Sequence, residues 1–189
     1  MESTDKTLML AVRDGDVDKF GVLFDRHHRR LFEFFYRMTG DRTASEDLVQ
    51  DVFLRMLKYR ESFSQNSEFR AWMYHIARTA RIDRFRKRQG EASSPVQHIE
   101  SACDGKSSVR LQEQIERDQQ VAMLERALLE LPNDKRELIV LARYQEMKYE
   151  QIASLLGIEV GAVKTRVHRA IAELRHVFMR MSGEKSNAL

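Results

Sequence analysis

The chain has 189 residues, 42% of them hydrophobic and 32% charged, a balance that suits one or two small water-soluble domains with real cores. Its formal net charge is only +3, so affinity for a polyanion has to come from local patches rather than from an overall basic field. The lone Cys103 excludes an internal disulfide and a cysteine-based zinc site, and it suits a reducing cytosol.

Two prolines and few β-branched runs favour an all-α chain. Met1 to Asp5 has neither a basic nor an apolar stretch, which predicts no signal peptide. No apolar run approaches the ~18 residues of a membrane span. Lys6 to Arg13 reads as a short helix ended by Asp14-Gly15, with Asp16 as the N-cap of the next. Phe20, Leu23, Phe24, His27, Leu31, Phe34, Phe35 and Met38 then recur at helical spacing up to Thr39-Gly40. His27 lies on the apolar stripe and His28 beside it. Adjacent histidines cannot face one metal from a helix, so His27 is read as a packed core residue.

Thr43 to about Arg60 predicts a helix with two faces. Leu48, Val49, Val52, Phe53, Met56 and Tyr59 form a buried side. Asp47, Gln50, Asp51, Leu54 and Lys58 form an acidic side with an exposed leucine near its middle. A solvated face reads this way, and so does a protein-docking surface. Glu61 to Ser67 is a polar loop. Glu68 to Gln89 predicts a third long helix, with Phe69, Trp72, Met73, Ile76, Ala77 and Ala80 inward. A second stripe, Arg70, Tyr74, Arg78, Arg81, Phe85 and Arg88, interleaves cations and rings on what reads as an exposed face. Cations follow phosphates and rings stack on unpaired bases, so the stripe suits melted DNA; a solvated basic helix is the alternative.

From Gly90 to about Gln112 the pattern breaks into a Ser-rich segment read as a flexible linker. At ~3.3 Å per extended residue it reaches about 70 Å. Gly105-Lys106-Ser107 mimics the end of a P-loop, but the earlier glycine is replaced by Glu100 and no strand precedes it. Glu113 to Leu131 predicts a helix with Val121, Leu124, Leu128 and Leu131 inward, stopped by Pro132. Asn133 is placed to cap a helix running from Asp134 to about Glu146, with Leu138, Leu141 and Ala142 packing beneath the next two helices.

The stretch from Tyr149 to Arg175 organises the chain. Ile152, Ala153, Leu155 and Leu156 make a short periodic run that stops at Gly157, a residue suited to a left-handed cap. Val163, Val167, Ala170, Ile171, Leu174 and Phe178 then carry a longer one. Two helices about a tight glycine turn make a helix-turn-helix, whose second helix enters the major groove. Lys164, Thr165, Arg166, His168 and Arg169 fall off its apolar stripe, and such side chains donate to base edges and phosphates. An ordinary helical corner with a solvated basic face is the competing reading. No metal-spaced cluster, nucleophile motif or phosphate loop is present in the sequence, which argues against an enzyme.

Both halves, in this order, resemble a bacterial RNA polymerase sigma factor of the extracytoplasmic-function (ECF) class of the sigma-70 family. Thr39-Gly40-Asp41 followed by Ala44 to Arg55 is similar to the core-binding part of sigma region 2. Phe69 to Arg78 with Asp83-Arg84 looks like the part that melts and reads the −10 element. Leu131-Pro132 and Tyr149 to Arg175 resemble region 4, which reads the −35 element. The resemblance implies two small helical domains, region 2 over 1–89 and region 4 over 113–189, joined by the linker at 90–112. It implies that Asp47, Gln50, Asp51 and Leu54 dock on the β′ clamp helices of core polymerase, whose β flap is a second contact. It assigns Ser64, Gln65, Asn66, Arg70, Tyr74, Arg78, Thr79 and Arg81 to the −10 element. Lys164, Thr165, Arg166, His168 and Arg169 go to the −35 element. Thr79 departs from the asparagine frequent in the family, which bears on −10 base preference. Promoter DNA, core polymerase and an anti-sigma factor are the implied partners, with no cofactor, no membrane insertion and a cytoplasmic location. A plain helix-turn-helix regulator and a sigma mimic that sequesters an anti-sigma factor are the rival readings.

Overall fold

Thr4 accepts the Thr7 amide at 3.2 Å and opens α1, Asp5–Arg13. The computed structural model describes residues 3–90 and 110–183. α2 runs Lys19–Thr39; its N-cap is Asp18, not Asp16, and 16–18 form a turn before it. Gly40 takes φ 69° at its end, so the amide can turn back to the Tyr36 carbonyl at 2.8 Å. Asp41 caps α3, Arg42–Lys58, accepting the Ala44 amide at 2.9 Å. Because α3 stops at Lys58, Tyr59 leaves the buried side and is 47% exposed, contrary to the periodicity.

A 3₁₀ turn at Arg60–Ser62 leads through the polar loop to α4, Phe69–Gly90. α5 spans Arg110–Glu130, so 110–112 are helical; the rest of the expected linker beyond Gly90 lies outside the described residues. α6, Asn133–Ile139, includes Asn133 in the helix, and no side chain caps it. The single helix expected to reach Glu146 widens instead into a π turn at Val140–Tyr144, where the Gln145 amide bonds the Val140 carbonyl at 2.9 Å. Glu146 comes next at φ 51°, a left-handed conformation that costs a side-chain-bearing residue roughly 1–2 kcal/mol. α7, Tyr149–Leu156, ends at Gly157 with φ 65°, and α8 runs Val160–Met181.

In the first half α2 packs on α1 and α3, and α3 on α4. Phe34, Phe35, Met56, Phe63 and Met73 are fully buried there, each burial stabilising by about 1.5–3 kcal/mol. His27 is a core residue as expected; its Nε2 lies 2.8 Å from Asp5, which also accepts from Arg26 at 2.9 Å, tying α1 to α2. Trp72 packs against the core with its ring 5.1 Å from that of Phe63, and its Nε1 donates to Ser62 at 3.2 Å. In the second half α5, α6 and α7 pack on α8 around Leu128, Ile139, Leu141, Ile152 and Val163. Val121, expected inward, is 56% exposed. It borders an open apolar groove of about 560 Å³ between α5 and α8, lined also by Leu124, Ile171, Leu174 and Phe178.

The two halves are docked on each other. α7 lies on α4, while α5, α6 and the π turn lie on α2. Their buried residues form one continuous apolar cluster. Arg136 fastens the seam: its guanidinium donates to the carbonyls of Leu128 (3.0 Å), Leu131 (2.9 Å) and Leu129 in its own half, and to Met38 (2.6 Å) across it. Those carbonyls sit at or beyond the C-terminal ends of α5 and α2, where a cation is electrostatically favoured. Arg37 adds a cation–π contact, 4.2 Å above the Tyr144 ring.

Candidate nucleic-acid interfaces

α8 is fixed from beneath. Val163, Val167 and Ala170 are buried against α6 and α7, which turns the opposite face outward. Lys164, Thr165, Arg166, His168 and Arg169 are all exposed on that face. The Thr165 hydroxyl donates back to the Gly161 carbonyl at 3.1 Å. Among the described residues, Lys164, Arg166 and Arg169 have no carboxylate partner. A cationic helix front held on a rigid core is the geometry for entry into a major groove.

The acidic face of α3 is also open, but it is braced. Asp47 pairs with Arg84 of α4 at 3.0 Å. Arg55 bridges Asp51 at 3.0 Å and Asp83 at 2.6 Å. Leu54 is 66% exposed among these pairs, and Gln50 is exposed beside it. Asp47 is therefore held by α4 and Asp51 by Arg55 of its own helix, while the leucine stands free.

The α4 stripe departs from its expected exposure. Ser64, Gln65, Asn66 and Thr79 are exposed, with the Ser64 amide bonded to the Ser67 hydroxyl at 3.1 Å and Thr79 donating to the His75 carbonyl at 3.0 Å. Arg70, Tyr74, Arg78 and Arg81, read from the sequence as one exposed face, are covered by the second half. Tyr74 is fully buried and donates to the Gln145 side chain at 2.6 Å. Burial pushes its phenol well above the usual range, so the hydroxyl stays protonated and remains a donor. Arg70 donates to the Gln145 backbone carbonyl. Arg78 donates to Glu137 at 2.9 Å, and Arg81 lies 3.5 Å from the same oxygen. Burial lowers the Arg81 pKa while Glu137 opposes the shift, and an arginine stays charged throughout. Phe85 remains 58% exposed at the far end of the stripe.

Glu137 and Gln145 are the residues the sequence reading missed. They are 4% and 1% exposed. Both lie in register with Leu141, four residues before and four after it, so polar groups bracket an apolar stripe. That pattern was the available signal. No group of three or more His, Cys, Asp or Glu able to hold a metal occurs among the described residues. None of the described helices is long and apolar enough to cross a membrane.

Comparison with known proteins gives the family. The family model described as Sigma-70 region 2 matches residues 23–91, and the one described as Sigma-70, region 4 matches 122–174. The ECF RNA polymerase sigma factor SigW of Bacillus subtilis (strain 168) is 32% identical over 93% of this chain and 97% of its own length. CarQ of Myxococcus xanthus, an RNA polymerase sigma factor, is 30% identical over 87% of this chain and 92% of its own. Among solved structures, CnrH in complex with the cytosolic domain of CnrY matches with TM-score 0.69 and 26% identity, over 92% of this chain and 96% of that one. RpoE from Bartonella quintana, in complex with the anti-sigma factor NepR, matches with TM-score 0.65 and 26% identity, over 84% and 95%. The chain belongs to the ECF class of the sigma-70 family of RNA polymerase sigma factors. It is a factor that directs core polymerase to promoters and starts transcription.

Proposed function

We propose how the faces of this sigma factor divide that task. Region 2, residues 1–89, docks on the β′ clamp helices of core polymerase through Asp47, Gln50, Asp51 and Leu54. Its loop residues Ser64, Gln65 and Asn66, with Arg70, Tyr74, Arg78, Thr79 and Arg81, capture the opened −10 strand. Region 4, residues 113–189, contacts the β flap and places Lys164, Thr165, Arg166, His168 and Arg169 in the −35 major groove. The linker over 90–112 lets the two regions reach both elements. The factor works in the cytoplasm by binding alone, with no covalent step and no cofactor, and an anti-sigma factor holds it inactive between signals. One structural relative, RpoE from Bartonella quintana, was solved with the anti-sigma factor NepR bound, which supports that last point.

The observation that carries the reading is the α8 face. Its five polar side chains are exposed, and its cations have no carboxylate partner among the described residues. Purified protein mixed with sigma-free core polymerase tests it by run-off transcription on genomic promoter fragments, including the one upstream of its own gene. Discrete transcripts that need both proteins are expected. A stable complex without transcripts on any fragment favours a sequestering mimic, and no complex with core leaves a plain DNA-binding regulator.

A further inference from the structure

α2 carries a basic row of its own. At roughly 3.6 residues per turn, Arg26, Arg29, Arg30, Glu33 and Arg37 fall within about a third of the helix circumference. The ends of the row are occupied. Arg26 donates to Asp5 and to the Ser3 carbonyl, both at 2.9 Å. Arg37 lies over the Tyr144 ring and reaches Glu33 at 3.5 Å. In the middle, the Arg29 and Arg30 side chains are exposed and make no ion pair or hydrogen bond among the described residues, although Asp25 and Glu33 stand within one turn. Arg26 and Arg30, one turn apart, repel, so the face lacks an anion. The row starts where the loop before α4 is anchored. The His27 ring, next to Arg26 in the chain, lies 5.0 Å from that of Phe69, three residues after Asn66. At the other end of the loop, Arg13 donates to the Phe63 carbonyl at 3.2 Å. Burial is the main cause that lowers the His27 pKa, and the charges of Arg30 and Arg70 push the same way against Asp5, so both guanidiniums lie near that ring. Ser64, Gln65 and Asn66 are exposed between the two anchors. An exposed loop and two free cations thus adjoin at the junction of α2 and α4.

We propose that Arg29 and Arg30 form a phosphate-binding site that continues the single-strand path beyond the loop. Ser64, Gln65 and Asn66 hold an unpaired base, and the two guanidiniums take backbone phosphates of nucleotides next to it. The proposal rests on assigning that loop to the −10 strand. It needs none of the α4 arginines, which have protein partners in this structure. A guanidinium presents a planar fork of donors that matches a phosphate, and Arg29 and Arg30 have theirs unused. A single strand suits the place better than a duplex, because a base taken out of the stack leaves a flexible backbone that can turn across α2. Phosphates are alike at every base, so the pair adds affinity and register without sequence preference.

The test uses the full chain and fluorescence anisotropy with a labelled mixed-sequence single strand of about 20 nucleotides, titrated with salt. Arg29→Ala combined with Arg30→Ala should lower the magnitude of the salt slope by about 1.4, at ~0.7 per phosphate contact, and weaken binding on the order of tenfold near 0.1 M salt. Arg29→Lys with Arg30→Lys should recover most of the slope, because a lysine still meets a phosphate as a point charge. Lys19→Ala with Arg42→Ala removes the same net charge from other exposed positions and should have little effect. Circular dichroism checks folding. Ser64→Ala, Gln65→Ala and Asn66→Ala combined should also weaken binding, which reports on the loop by itself. Loss in the loop variant with none in the double arginine variant overturns the phosphate site and leaves the loop reading intact. No loss in either overturns both. Loss in the arginine variant alone separates Arg29 and Arg30 from the loop and overturns a shared path. Equal losses in the arginine variant and the Lys19 and Arg42 control reduce the effect to net charge and also overturn the site.

Discussion

α4 and α8 each present a row of cations at helical spacing, and the two rows have opposite fates. On α8, Lys164, Arg166 and Arg169 face solvent without a carboxylate partner among the described residues. On α4, Arg70, Arg78 and Arg81 are half-buried and occupied by Glu137 and Gln145. Helical periodicity identifies both rows equally well. What separates them is a segment some sixty residues away in the sequence, and no local pattern on α4 encodes it. A basic stripe in a chain of two small domains is thus a statement about chemistry, and its availability depends on the other domain.

The comparison can be broken most directly at the seam. Arg136→Ala removes four bonds from a cation to carbonyls at the ends of two helices, and it should lower the unfolding free energy by about 2–4 kcal/mol in urea titrations. A loss under 1 kcal/mol would mean that the halves are held by apolar contacts alone. Arg169→Ala on the open row should weaken binding to a duplex carrying the −35 element by about 1–3 kcal/mol in gel-shift titrations. An equal loss on a scrambled duplex would reduce Arg169 to a phosphate contact. Salt sharpens the contrast further. Lys164→Ala should lower the magnitude of the duplex salt slope by about 1, whereas Arg78→Ala should leave the free chain's slope unchanged. The smallest effect is on stability. Arg166→Ala should stay within about 0.5 kcal/mol of wild type by thermal unfolding, because its side chain is exposed and makes no ion pair among the described residues. Arg78→Ala should exceed that, because it leaves the buried Glu137 with one partner fewer.

Much of the architecture was readable from residues alone. Gly157 takes the left-handed cap that its position after an apolar run predicts, and the helix expected to close at Thr39-Gly40 does so. The helix-turn-helix is explained by the stripe through Val163, Val167 and Ala170. His27 is core, as its place on α2 requires. The misreadings have physical causes. Tyr59 continues the period of α3 but falls one residue past its end. Val121 continues the period of α5 but borders a groove that nothing in the chain fills among the described residues. Asn133 has the chemistry of a cap yet lies inside the helix, since Pro132 already sets the entry. The π turn is invisible to a 3.6-residue period, so the pattern marks Leu141 as core and gives no sign of Gln145, four residues later. Tyr74 has the chemistry of a base-stacking ring, and its burial depends on a non-local partner.

Arg136 has a further consequence. Three of its four acceptors, Leu128, Leu129 and Leu131, travel with it when the halves separate, and only Met38 is left behind. The guanidinium would come away from the seam already oriented, with one N–H pair turned to the newly uncovered surface and no conformational entropy left to lose there. Separation of the two halves would therefore present a pre-set donor on the second half, able to take up a carbonyl or an anion from whichever surface arrives next.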